Sequence, residues 1–166
     1  GTTAYGAWQD RCVQLHDDTG DNAGETPDII AFYLGTNDFH SDYANIGTYA
    51  AVDFDTLITG SEGAYTYATP TTAMEAYAIC LHKMKQAYPD AEVYCFTLLP
   101  RIEAGQTQPE QFNADIKKMA ERFGAYVVDL YEDSGITSDL AAFDAMMRRE
   151  AVPAMSALPT REQLAR

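Results

Sequence analysis

The chain has 166 residues, 46% hydrophobic and 22% charged, with 11 basic against 25 acidic side chains and a formal net charge of −14. That length suits one domain with its own core, and the composition excludes a disordered chain. The acidic excess excludes a nucleic-acid backbone or an anionic membrane surface as partner, and no run of 18 apolar residues marks a membrane span.

In chain order, Gly1 opens the sequence without a basic or apolar leader, which predicts a processed start or a fragment. Residues 8–16 read as a helix. Pro27-Asp28 then introduces the wholly apolar run Ile29-Ile30-Ala31-Phe32-Tyr33-Leu34, stopped by Gly35, the pattern of a strand buried on both faces. Residues 39–71 form a long connection rich in Tyr, Gly, Thr and Asp. A connection of that length is functional or carries small elements of its own. Its aromatics, Tyr43, Tyr49, Phe54, Tyr65 and Tyr67, suit a substrate cleft, a loop closed onto the domain, or a subunit contact.

Thr72 followed by Glu75 predicts a capping box, with Met74, Tyr77, Ala78, Leu81, Met84 and Tyr88 at helical spacing until Pro89. Residues 92–98 read as a second strand. Thr107 and Glu110 flank Pro109 at the next helix start, and Phe112, Ile116, Met119, Ala120 and Phe123 make one stripe before Gly124. Residues 125–130 read as a third strand. The order of elements implies right-handed parallel crossovers and a three-layer α/β/α sandwich with a parallel sheet. Residues 1–147 form this α/β domain, with 7 basic and 23 acidic side chains. Residues 148–166 are an atypical tail with 4 Arg and 2 Glu, either a C-terminal helix or a foreign terminus.

Cys12, Cys80 and Cys95 form no CxxC pair and are odd in number. They read as buried thiols in a reducing compartment, which favours the cytoplasm, rather than a disulfide framework or a metal site. His16, Asp17 and Asp18 are a local cluster without a second group at ligand spacing.

Ligands of open α/β sheets bind at the carboxyl ends of the strands. That rule nominates Gly35-Thr36-Asn37-Asp38, Leu99-Pro100-Arg101 and Tyr131-Glu132-Asp133. In the first, Gly35 lets the backbone approach a ligand, and the Asn37 amide is a neutral donor suited to an oxyanion. The plain alternative is a turn, since Gly, Asn and Asp dominate turns. Asp38, Phe39 and His40 follow as candidate substrate contacts, with a solvated loop histidine the other reading of His40. His82 reads as a surface or helix-packing residue, Cys95 as core, and Arg101 as a surface ion-pair partner or a contact for an anionic substrate.

The run from Pro27 to Phe39, an apolar strand ending in Gly-x-Asn-Asp, resembles the third sequence block of the SGNH, or GDSL-like, hydrolases. The resemblance extends over residues 8–15, over Ala87-Tyr88-Pro89-Asp90-Ala91-Glu92-Val93, over Phe112-Asn113-Ala114-Asp115-Ile116, and over Asp129-Leu130-Tyr131 with Ser134-Gly135-Ile136. It implies a flavodoxin-like three-layer fold, incomplete at its N-terminus, and ester or acyl-bond hydrolysis by a serine nucleophile without metal or organic cofactor. In that family an early Gly-Asp-Ser supplies the nucleophile, and a late Asp-x-x-His supplies the base. Asn37 matches the family's oxyanion Asn, with Gly35 giving it room, and Gly1 matches the second-block Gly.

The sequence departs from the family at two places. It holds no Gly-Asp-Ser and no Gly-x-Ser-x-Gly, and no His follows His82. The expectation is a serine esterase or acylhydrolase domain that is inactive as this chain stands. The alternative is a non-catalytic α/β domain that binds a ligand or partner. A small-molecule ester is the expected substrate, and unpaired strand edges predict a homodimer or exchange of a terminal segment.

Overall fold

A computed structural model describes residues 12–13, 24–39, 45–100 and 109–136. In chain order, β1 spans Ile29–Phe32, followed by a 3-10 turn at Thr36–Phe39 and another at Tyr49–Ala51. Helix α1 is Phe54–Leu57, β2 Ile58–Thr59, β3 Thr66–Tyr67, and α2 Ala73–Ala87. Strand β4 is Glu92–Phe96, α3 Glu110–Arg122, β5 Tyr126–Val128, and α4 Leu130–Asp133.

The three apolar runs pair as a parallel sheet in the order β1-β4-β5, with Phe32 opposite Cys95 and Cys95 opposite Val127. This is the α/β architecture expected from the order of elements. Two right-handed crossovers stepping in the same direction put α2 and α3 on the same face. The burial alternation agrees: Phe32, Val93 and Cys95 are buried in one core with Met74, Tyr77, Leu81, Ile116 and Met119. Tyr77 packs on Phe32 with ring centroids 4.6 Å apart.

Against the expectation of strands buried on both faces, the other face is open among the described residues: it carries Ile29, 63% exposed, and Tyr126, 54% exposed, with Tyr94 stacked on Tyr126 at 5.0 Å. The helix expected over residues 8–16 lies outside the described residues, apart from a turn at Cys12 and Val13. The tail expected at 148–166 also lies outside them.

Each strand is shorter than its apolar run. After Phe96, Thr97 still donates its N–H to the Val128 carbonyl at 3.1 Å, but its side chain accepts from the Tyr131 N–H at the start of α4. After Val128, Asp129 accepts from the Glu132 N–H at 3.3 Å and starts α4.

The capping box forms as expected. The Glu75 N–H donates to Thr72 Oγ1 at 3.1 Å, and Glu75 Oε2 accepts from the Thr72 N–H at 3.1 Å. Two more free donors of this helix end, Ala73 N–H and Met74 N–H, are taken by the carbonyls of Asn45 and Ile46, each at 3.0 Å. The cap therefore fastens the long connection as well as the helix. Thr72→Ala is expected to cost about 1 kcal/mol in urea unfolding. An unchanged midpoint would show that the loop carbonyls alone hold the helix end.

The long connection does carry small elements. A hairpin of two-residue strands, β2 with β3, folds back onto α2. There the Tyr67 hydroxyl and His82 Nδ1 share a hydrogen bond at 2.9 Å, and Tyr65 meets the imidazole edge-on at 4.5 Å. His82 is thus a packing residue, and burial lowers its pKa. Tyr49, Phe54 and Tyr67 are partly buried against the core, so these three close the loop onto the domain, while Tyr43 lies outside the described residues. Cys80 and Cys95 are buried thiols and Cys12 is half-buried; burial pushes Cys95 up to about 11. No helix among the described residues is long and apolar enough to cross a membrane.

Candidate functional site

Because all three strands run parallel, their carboxyl ends lie along one edge of the sheet. The turn after β1, the Thr97–Pro100 segment after β4 and α4 after β5 therefore stand side by side. The expected site segments meet here, apart from Arg101, which lies outside the described residues.

Gly35 carries φ +124, a conformation that L side chains rarely adopt. Space there is closed as well. A methyl group on Gly35 would sit 2.5 Å from Cε1 of Phe112 and 3.3 Å from Cδ1 of Leu98. The chain then tightens into the 3-10 turn, where the Asp38 N–H donates to the Gly35 carbonyl at 3.0 Å. This geometry points the two polar side chains apart: Asn37 is exposed, whereas Asp38 is 5% exposed.

Asp38 is an unusual carboxyl. Its Oδ2 is buried with no hydrogen-bond partner among the described residues, and burial pushes its pKa from 3.8 to about 6. The sequence nominated it as a substrate contact, but it faces inward. Asn37, with its exposed amide, is placed to donate to a ligand from this turn. Phe39 closes the turn, but its side chain, like His40 and Gly1, lies outside the described residues.

A second group of residues, without any motif, holds the neighbouring ends together. The Asn113 side chain accepts from the Leu98 N–H at 2.8 Å and donates to the Leu98 carbonyl at 2.9 Å. Thr97 Oγ1 donates to Asp129 Oδ1 at 2.8 Å and accepts from the Tyr131 N–H at 3.0 Å. Burial raises the Asp129 carboxyl, yet bonds from Lys117, Thr97 and the Glu132 N–H outweigh that and hold it below its ordinary value. The Tyr131 hydroxyl donates to Glu110 at 2.8 Å, and burial together with that carboxylate pushes it up to about 12.

Sequence reasoning missed Thr97, Asn113 and Asp129 as positioning groups. Only Asn113 carried a signal, as an amide beside the apolar stripe of a helix, a signal it shares with the equally buried Asp115. Among the described residues no serine has a base: Ser134 Oγ accepts from the Ile136 N–H at 3.1 Å, and the Ser61 carbonyl closes the hairpin turn.

The rim thus offers an amide donor on a rigid turn, which suits stabilisation of a developing negative oxygen. The family model of the GDSL-like lipases/acylhydrolases matches residues 2–152. No curated protein matches the chain. A crystal structure of a Bacteroides uniformis protein designated a GDSL-like lipase is similar, with 21% identity and a TM-score of 0.41, over 76% of this chain and 53% of that one. The chain spans about half the length of that structure.

Proposed function

Since this chain belongs to the GDSL-like lipase/acylhydrolase family, we propose that it is part of a serine esterase or acylhydrolase domain acting on small ester substrates. In that chemistry a serine hydroxyl adds to the ester carbonyl and passes its proton to a histidine. The carbonyl oxygen becomes an oxyanion, which amide donors hold. The observation that carries the proposal is Asn37, exposed on a 3-10 turn directly after Gly35 at the carboxyl end of a parallel strand. Gly35 serves by letting the turn sit close to the neighbouring strand exit. Gly1 as a further donor, and Phe39 and His40 as substrate contacts, belong to the same proposal.

The family's Gly-Asp-Ser and Asp-x-x-His blocks are not in this sequence, so the chain alone is expected to be inactive. A fluorophosphonate probe is expected to leave it unlabelled, and p-nitrophenyl acetate to hydrolyse at the buffer rate. Grafting a Gly-Asp-Ser strand ahead of residue 1 and an Asp-x-x-His block behind the chain is expected to give turnover. Asn37→Ala should lower that turnover on the order of 10²- to 10³-fold. Turnover indifferent to Asn37→Ala would overturn the role of Asn37. Site-specific labelling of the chain alone would instead identify one of its own serines as nucleophile. The missing Gly-Asp-Ser and late His favour a second reading, a non-catalytic ligand-binding domain. That reading predicts ester binding without turnover in the grafted protein.

A further inference from the structure

We infer that the consecutive residues Phe112 and Asn113 on α3 are the device that sets where the Asn37 amide stands. The inference rests on the reading of Asn37 as an oxyanion donor and names the positioning residues behind it. Both side chains are buried, so neither is placed to touch a substrate.

Their contacts go to two different strand exits. The Phe112 ring forms the wall against which Gly35 packs, close enough that even a methyl group would overlap it. Asn113 uses both ends of its amide on the backbone of Leu98, and the Leu98 side chain lies against the same Gly35. Helix α3 therefore seats the turn twice, directly through Phe112 and indirectly through Leu98. From that seat Asn37 is two residues away, inside a turn closed by the Asp38-to-Gly35 hydrogen bond.

Energetics support a dedicated role for Asn113. It sits beside Phe112 on a stripe continued by Ile116, Met119 and Ala120, where an apolar side chain would bury at no polar cost. A buried amide is tolerable there because both ends of it are hydrogen-bonded, to the backbone of Leu98 at the site's edge. An oxyanion donor must be held to within a fraction of an ångström to act, so a buried clamp behind it has a chemical use.

The test is nuclear magnetic resonance on this chain, carrying Phe112→Leu, Asn113→Asp or, as control, Ile116→Val. Phe112→Leu and Asn113→Asp are each expected to shift the Asn37 side-chain NH₂ signals. They should also speed exchange of the Asp38 amide about tenfold relative to the Val93 and Cys95 amides, one net hydrogen bond's worth. Ile116→Val, equally buried on the same helix, should move neither. Acceleration of all amides by one common factor would reduce the pair to ordinary core and overturn the inference. Unmoved Asn37 and Asp38 signals beside a shifted Leu98 would overturn it too. If Asn113→Asp does not fold, Phe112→Leu decides alone. None of these readouts involves turnover, so failure here and failure of the esterase reading are separate observations.

Discussion

Gly35→Ala is expected to destabilise the chain by about 2–5 kcal/mol, the sum of a left-handed backbone cost and an overpacking cost. A second glycine gives a reference. Gly124 also has positive φ, at +63, but a methyl group there would meet nothing within 4 Å. Gly124→Ala should therefore cost only the backbone part, about 1–2 kcal/mol. Urea unfolding of both variants, followed by circular dichroism, gives the comparison. The excess at Gly35 is the overlap with the Phe112 ring together with the higher backbone cost of φ +124, and equal losses would mean that ring and turn both yield freely. In that case the turn is not seated by α3, and the exposed Asn37 amide would have no fixed direction. The glycine's use is thus set by a helix more than seventy residues further along the chain.

That distance explains what the sequence could and could not convey. The capping box at Thr72 and Glu75, the stripe from Phe112 to Phe123 and the apolar strand before Gly35 are local patterns, and each became the element it predicted. The alternation of these elements was enough to give a parallel sheet with covering helices. Asn37 and Gly35 were legible because Gly-x-Asn-Asp is contiguous and stands where a strand ends. Thr97 with Asp129, and Asn113 with Leu98, were not legible, because each pairing joins separate elements through a crossover. The inward turn of Asp38 was hidden for another reason. In a 3-10 turn adjacent residues face different directions, and neither composition nor spacing says which one is buried.

Asp38→Asn should stabilise the chain at neutral pH and do little in acid. The Asp38 carboxyl has a folded-state pKa of about 6 against 3.8 ordinarily, so the folded chain favours its neutral form. Below about pH 4 the group is neutral in both states, and the residue carries no charge penalty. Between about pH 4 and 6 the unfolded chain has released the proton while the folded chain still holds it. Stability therefore falls with rising pH across that window. Above about pH 6 the carboxylate is charged in both states and the full penalty stands, about 3 kcal/mol at most from the difference between the two values. An amide of the same shape removes the titration. The stability difference between Asp38→Asn and the parent should rise from its pH 4 value to a plateau near pH 7, by roughly 1–3 kcal/mol. Denaturant midpoints measured from pH 4 to pH 7.5 read it directly. A difference that stays flat across that range would mean that the carboxylate finds a partner and that its burial costs nothing. A rising difference would establish a buried carboxylate next to Asn37 in the chain, bearing the same sign as the oxyanion that Asn37 is proposed to hold. Under the esterase reading the Asp38→Asn change then leaves the donor in place while removing a charge that opposes it.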